Sequence, residues 1–174
     1  MKFLLPSELA ELEYKYIIKA ESPTNPEYGY SPSDRPIEYL IDTGIININK
    51  VAGPSSHVVA SWVKLILGID KTGHGGTLDP NVTGVLPVVL GSATKIVSAL
   101  QTAGKEYICL LSLHKEVGEE KIKKALNIFT CEIYQRPPQK SAVSRKLRKR
   151  TIYYTKFLEK KENYTLFRVG CQSG

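Results

Sequence analysis

The residues with the most chemical content lie between positions 73 and 84, which read Gly-His-Gly-Gly-Thr-Leu-Asp-Pro-Asn-Val-Thr-Gly. Asp79 precedes Pro80, whose ring fixes its own φ and drives the preceding residue toward an extended backbone. Gly73, Gly75 and Gly76 give the loop access to positive φ and to close approach by a bound group. Aspartates are ionised at neutral pH, so a carboxylate held on such a loop is equipped to act as a nucleophile without a partner base. The competing reading is a turn in which Asp79 caps local amides. A phosphate cradle is excluded, because the Gly-Lys-Ser/Thr ending of a P-loop is missing. Asp70-Lys71-Thr72-Gly73 is likewise no aspartyl-phosphate signature, since His74 stands where that signature has threonine.

A second concentration of chemistry is basic. Between 140 and 150 the chain carries Lys140, Arg145, Lys146, Arg148, Lys149 and Arg150. The 174 residues hold 24 Lys and Arg against 17 Asp and Glu, a formal net charge of +7, which favours a polyanionic partner. Read alone, the run is a solvated charged face. In a chain already basic it becomes a strip of phosphate contacts, with Lys50 and Lys95 as additions. No apolar run reaches the length of a membrane span, and the start at Met1 is too short for a signal-peptide core. Cys109, Cys131 and Cys171 are odd in number and far apart, so they read as reduced thiols of a cytoplasmic protein. His57, His74 and His114 are too scattered to build a metal site.

The elements that must position these residues are a mixture of helices and strands. Residues 1–36 read as an extension: Ser7 caps a short helix carrying Leu9, Leu12 and Tyr16, and prolines at 23, 26, 32 and 36 preclude regular structure after it. A strand is predicted over 45–49, ending at Lys50. Ser55 or Ser56 then caps a helix ended by Gly68, with Val58, Val59, Trp62, Val63, Ile66 and Leu67 as its apolar face and Trp62 in the core. Residues 85–90 form a buried strand, and Ser92 caps a short helix with Ile96, Val97 and Leu100 inward. A strand over 107–113 precedes a helix over 119–129 with Ile122, Ala125, Leu126 and Phe129 on one stripe. Strands over 151–158 and 164–171 form a hairpin around 159–163. The fold class is mixed α/β.

Gly73-His74-Gly75-Gly76-Thr77-Leu78-Asp79-Pro80, followed by Thr83-Gly84-Val85-Leu86-Pro87, resembles the central motif of TruB-type pseudouridine synthases. Asn49-Lys50, Gly53-Pro54-Ser55-Ser56-His57, Ala93-Thr94-Lys95 and Gly104-Lys105-Glu106-Tyr107 flank it in matching order. Arg136-Pro137-Pro138, Ser141-Ala142-Val143 and Arg145-Lys146-Leu147-Arg148 narrow the resemblance to the dyskerin-like, archaeal box H/ACA guide-RNA-dependent branch. It runs from about Arg35 to Gly174.

The resemblance implies a mainly antiparallel sheet with surrounding helices, in which residues 37–174 are the N-terminal part of a pseudouridine synthase catalytic domain and 1–36 an arm. It implies isomerisation of a flipped uridine in RNA without cofactor or metal, with Asp79 as catalytic nucleophile and Tyr107 stacked on the uracil. His74, Gly75, Gly76 and Thr77 would contact RNA or brace the loop, with Lys50, Lys95, Lys140, Arg145, Lys146, Arg148 and Arg150 on phosphates. Expected partners are guide RNA, an rRNA or tRNA substrate and small box H/ACA proteins. The family continues beyond the match with Thr-Tyr-Ile-Arg, whose arginine pairs with the catalytic aspartate, and with a PUA domain. This chain is therefore expected to be a fragment, or one completed by a second polypeptide. Two other readings are a stand-alone tRNA pseudouridine synthase and a non-catalytic RNA-binding or assembly module.

Overall fold

The apolar run at 85–90 becomes the middle of a three-stranded antiparallel sheet in the computed structural model, which describes residues 17–23, 25, 27–31, 33–137 and 145–173. Strand β1 (Ile45–Lys50) pairs with β3 (Gly84–Leu90) from Ile45 opposite Val89 to Lys50 opposite Gly84. The short β2 (Thr72–His74) pairs with the other edge of β3. Val88 and Val89 have no exposed surface, as expected for a strand covered on both faces. Pro87 is tolerated in this central strand: β2 stops at His74, and the Pro87 carbonyl accepts from the Gly75 N–H at 2.9 Å just beyond it.

Helix α1 (Ile37–Thr43) precedes β1, and α2 (Ser56–Leu67) follows it. Ser55 is the residue that caps α2, accepting from the Val58 N–H, and Gly68 ends it at φ +62°. Val59, Ala60 and Val63 pack with Leu86, Val88 and Leu90 into the core. The predicted apolar face is broader than this three-stranded sheet can cover. Trp62, expected in the core, is 49% exposed, and Ile66 81%. A 3-10 turn (Gly91–Ile96) leads into α3 (Val97–Thr102). Val97 and Leu100 pack inward against Gly73 and Gly75, while Ile96 is 40% exposed. Ser92 caps no helix here; its hydroxyl donates instead to the Asp42 carboxylate of α1 at 2.9 Å.

These elements form one unit reaching to Thr102, and a second unit begins at Ala103. Its sheet has the order β4 (Lys105–Ser112), β7 (Tyr164–Cys171), β6 (Arg148–Lys161), β5 (Glu132–Gln135), antiparallel throughout. Helix α4 (Glu119–Ile128) lies against β6, and Ile122 is the one buried residue of the helix. Phe129, assigned to its apolar stripe, is 57% exposed. The hairpin is tighter than predicted: β6 runs on to Lys161, and Glu162-Asn163 close it with Glu162 at φ +52°. The charged stretch Glu159-Lys160-Lys161 conceals that extension in the sequence. The helix predicted after Ser7 lies outside the described residues.

Leu86→Ala is expected to lower unfolding free energy by about 2–5 kcal/mol through the cavity it leaves. Trp62→Ala should cost less despite removing a larger side chain. Urea denaturation of both variants measures the difference.

Candidate functional site

The loop that leaves β2 is fixed on both sides of Asp79. Ser56 at the start of α2 is fully buried; its hydroxyl accepts from the Leu78 N–H at 2.8 Å and donates to the Leu78 carbonyl at 3.0 Å. Lys50 is 1% exposed, and its Nζ donates to the carbonyls of Val51, Pro80 and Val82 at 3.0, 3.1 and 2.8 Å. The Gly53 N–H reaches the Pro80 carbonyl at 2.8 Å, with Gly53 at φ +115°. Between these pins the Asp79 carbonyl accepts from the Val82 N–H at 2.9 Å, closing a four-residue turn with Pro80 in its second place.

The sequence left a turn and a reactive carboxylate as alternatives for Asp79. The structure has the turn, and it leaves the carboxylate exposed with no hydrogen-bond or ion-pair partner among the described residues. Only the main chain of Asp79 makes the turn.

The other glycine-loop residues have distinct posts. A Cβ on Gly73 would sit 2.9 Å from Val97 and 3.2 Å from Val89, and one on Gly75 would sit 3.1 Å from Leu100. These two glycines make room for close packing against α3; neither has the positive φ expected of them. The His74 Nδ1 lies 2.8 Å from the Gly76 carbonyl. A carbonyl only accepts, so Nδ1 carries the proton and a neutral ring keeps Nε2 as acceptor. Thr77 is exposed and Gly76 half-buried.

The cations expected on phosphates are divided by the fold. Lys50 is an internal tether, because its three bonds go to backbone carbonyls, of Val51 beside it and of Pro80 and Val82 in the loop. Lys95 is exposed at a cleft of about 470 Å³ that it shares with Glu38, Asp42, Asp70 and Lys71. Arg145 and Lys146 are exposed ahead of β6, and Arg148 and Arg150 are half-buried at its start. Lys149 between them bonds Glu132 at 2.8 Å, which raises its pKa and keeps it charged, in a pair whose two side chains are more than half exposed. Lys140, Ser141 and Val143 lie outside the described residues.

Tyr107 is half-buried in β4, opposite Val169 of β7. Its neighbour Glu106 leaves the other face of the strand. There it accepts a hydrogen bond from the Tyr154 hydroxyl and faces Arg168, whose Nε lies 3.7 Å from Oε1. Burial lowers the pKa of Lys105, opposed by Cys171; burial raises the thiols of Cys171 and Cys109. Both thiols are therefore weak nucleophiles.

Sequence reasoning missed Ser56 as a loop clamp and Glu106 as a bonded carboxylate. The two adjacent serines at 55 and 56 were a visible signal, since one cap needs only one of them. No group of three or more potential metal ligands occurs among the described residues.

The pinned Gly-His-Gly-Gly-Thr-Leu-Asp-Pro loop and the antiparallel sheet that carries Lys105-Glu106-Tyr107 define a mixed α/β class of protein, and comparison with known proteins gives the family. Residues 64–174 match the family described as TruB family pseudouridylate synthase (N terminal domain), and residues 4–60 match the DKCLD (NUC011) domain. The chain belongs to the TruB family of pseudouridylate synthases. It is 52% identical over 170 residues to a probable tRNA pseudouridine synthase B of Methanosarcina barkeri, covering 98% of this chain and 49% of that protein. The corresponding protein of Pyrococcus furiosus is 51% identical over 166 residues, covering 95% and 49%. Among solved structures, a Cbf5-Nop10-Gar1 complex contains a chain similar to this one at 51% identity and TM-score 0.84, covering 95% of this chain and 50% of that one. An H/ACA RNP bound to a substrate RNA containing 2′-deoxyuridine gives 46% identity and TM-score 0.84, covering 99% and 50%. The chain thus spans about half the length of the proteins it matches.

Lys50→Met should remove the amino donor from the Val51, Pro80 and Val82 carbonyls, of which Pro80 keeps the Gly53 N–H, and destabilise the protein by about 1–3 kcal/mol. Amide exchange at Gly53 and Val82 should accelerate ahead of exchange in β3, which mass-spectrometric or NMR hydrogen exchange detects.

Proposed function

We propose that this chain supplies the nucleophile of an RNA pseudouridine synthase, with Asp79 acting on a uridine drawn out of its stack. The observation that carries the reading is the exposed Asp79 carboxylate, unpartnered among the described residues, between backbone segments that Lys50, Gly53 and Ser56 hold still. A preorganised nucleophile of this kind loses little entropy when it meets its target. In the reaction the bond from uracil N1 to ribose C1′ breaks, the base turns, and a bond from C5 to C1′ forms. The C5 proton leaves and N1 gains one, so no electrons are exchanged and the product is an isomer.

Extruding the uridine costs on the order of a few kcal/mol, which stacking on an aromatic ring offsets. Tyr107 is the residue we assign to that stacking. His74, braced through Nδ1, presents Nε2 as an acceptor toward RNA. Arg145, Lys146, Arg148 and Arg150 carry phosphate contacts, joined by Lys140, while Gly76 and Thr77 contact RNA on the strength of the motif and the buried Gly75 braces the loop. Residues 37–174 are the N-terminal part of the catalytic domain, working in the cytoplasm as part of a box H/ACA guide ribonucleoprotein with small partner proteins. The similarity to chains of the Cbf5-Nop10-Gar1 complex and of a substrate-bound H/ACA RNP favours guided action. The archaeal relatives, named as probable tRNA pseudouridine synthases, favour tRNA as a second substrate class. Product formed only with guide RNA supports the first, and product on bare tRNA the second. Among the described residues no helix is long and apolar enough to cross a membrane.

Asp79→Asn is expected to abolish pseudouridine formation while RNA affinity persists, read by product chromatography beside a filter-binding assay. Product at the parental rate would remove Asp79 from the chemistry. Replacing Arg145, Arg148 and Arg150 together with Ala should flatten the slope of log affinity against log salt by about 2–3. An unchanged slope would make that segment an ordinary solvated run.

A further inference from the structure

The row of residues across β4, β7 and β6 beside Tyr107 contains a bridge with no evident place in the chemistry. Glu106 stands opposite Gly170, and Gly170 stands opposite Tyr154. Glu106 and Tyr154 are therefore two strands apart, about 9–10 Å between their backbones. The Tyr154 ring spans this gap by lying directly over Gly170, and its hydroxyl donates to Glu106 Oε2. A Cβ at position 170 would overlap the ring at Cε1 and Cζ, so only glycine admits the crossing. The second carboxylate oxygen faces Arg168, two residues back on β7 and on the same face. Glu106 and Arg168 are only 24% and 31% exposed in their side chains, so this ion pair is less screened than a surface one.

Among the described residues β4 is an edge strand with β7 as its single neighbour. An edge strand resists tilt and register slip only through that one ladder. The bridge adds a second attachment, to the strand beyond β7, at the residue immediately before Tyr107. Because Glu106 and Tyr107 leave opposite faces, fixing Glu106 from one face fixes the direction in which the Tyr107 ring leaves the other.

We propose that Glu106, held by Tyr154 across Gly170 and by Arg168, is a positioning residue for the Tyr107 ring. Its importance to catalysis rests on the reading that Tyr107 meets the extruded base, but the positioning itself is measurable without RNA. The test uses the full chain carrying 3-fluorotyrosine, with the Tyr107 fluorine resonance assigned by its loss in Tyr107→Phe. In Tyr154→Phe and in Glu106→Gln the Tyr107 resonance should shift and broaden. Lys149→Ala, which breaks the ion pair to Glu132 at the far side of the sheet, should leave it in place and serves as control for general loosening.

A Tyr107 resonance unchanged in both bridge variants overturns the proposal. If Tyr154→Phe fails to fold, Glu106→Gln decides alone. In the modification assay, Tyr154→Phe should slow single-turnover isomerisation by about 10- to 100-fold with RNA affinity unchanged. In a Tyr107→Ala background the same change should cost nothing further. Additive losses would give the bridge a role in stability only. An enzyme that forms no product in any variant, with the resonance shift intact, would refute the functional reading and leave the positioning standing.

Discussion

A lysine with 1% of its surface exposed is costly to bury unless every donor finds an acceptor. Lys50 meets that condition by giving its amino group to three carbonyls, two of them on the far side of Asp79 from Ser56. The end of β1 and the loop after β2 are thereby one rigid piece, and everything proposed for Asp79 depends on it. The carboxylate needs no side-chain partner to hold its place, because its backbone is held by neighbours. Exposure and order, which usually oppose each other in a loop, coexist here.

The second unit repeats this division of labour. Tyr107 is positioned through the residue beside it, whose carboxylate is bonded on the opposite face of β4. In both units a bonded residue next in sequence carries structural duty beside the residue to which the proposed function gives chemistry. For Asp79 these neighbours are Leu78 and Pro80, clamped by Ser56, Lys50 and Gly53. The Asp79 carboxylate, unpartnered among the described residues, is then affordable without loss of local order.

Much of this was legible in the sequence, and the failures have physical causes. Periodicity revealed β1, α2, β3, α4 and the β6–β7 pair, because each buries a face with a clear repeat. Helix α1 and strand β5 escaped, being short and without a full apolar period; β5 exists mainly through its ladder with β6 and the Glu132–Lys149 bond. Trp62 and Phe129 were placed in cores that the actual sheets do not extend far enough to build. The motif located Asp79 and Tyr107 without describing their surroundings. Lys50 misled, since charge alone suggests a phosphate contact, and only the fold brings the Val51, Pro80 and Val82 carbonyls to its amino group. Gly170 had no signal at all, because the crossing it admits joins residues 48 positions apart.

The tether of Lys50 to the loop joins residues 30 and 32 positions apart, and the Ser56 clamp spans 22. Closing loops of that length costs more chain entropy than a neighbouring contact does, so both closures draw on the paired strands that flank them. On the function proposed for Asp79, the carboxylate is ready for a substrate only while the two closures persist.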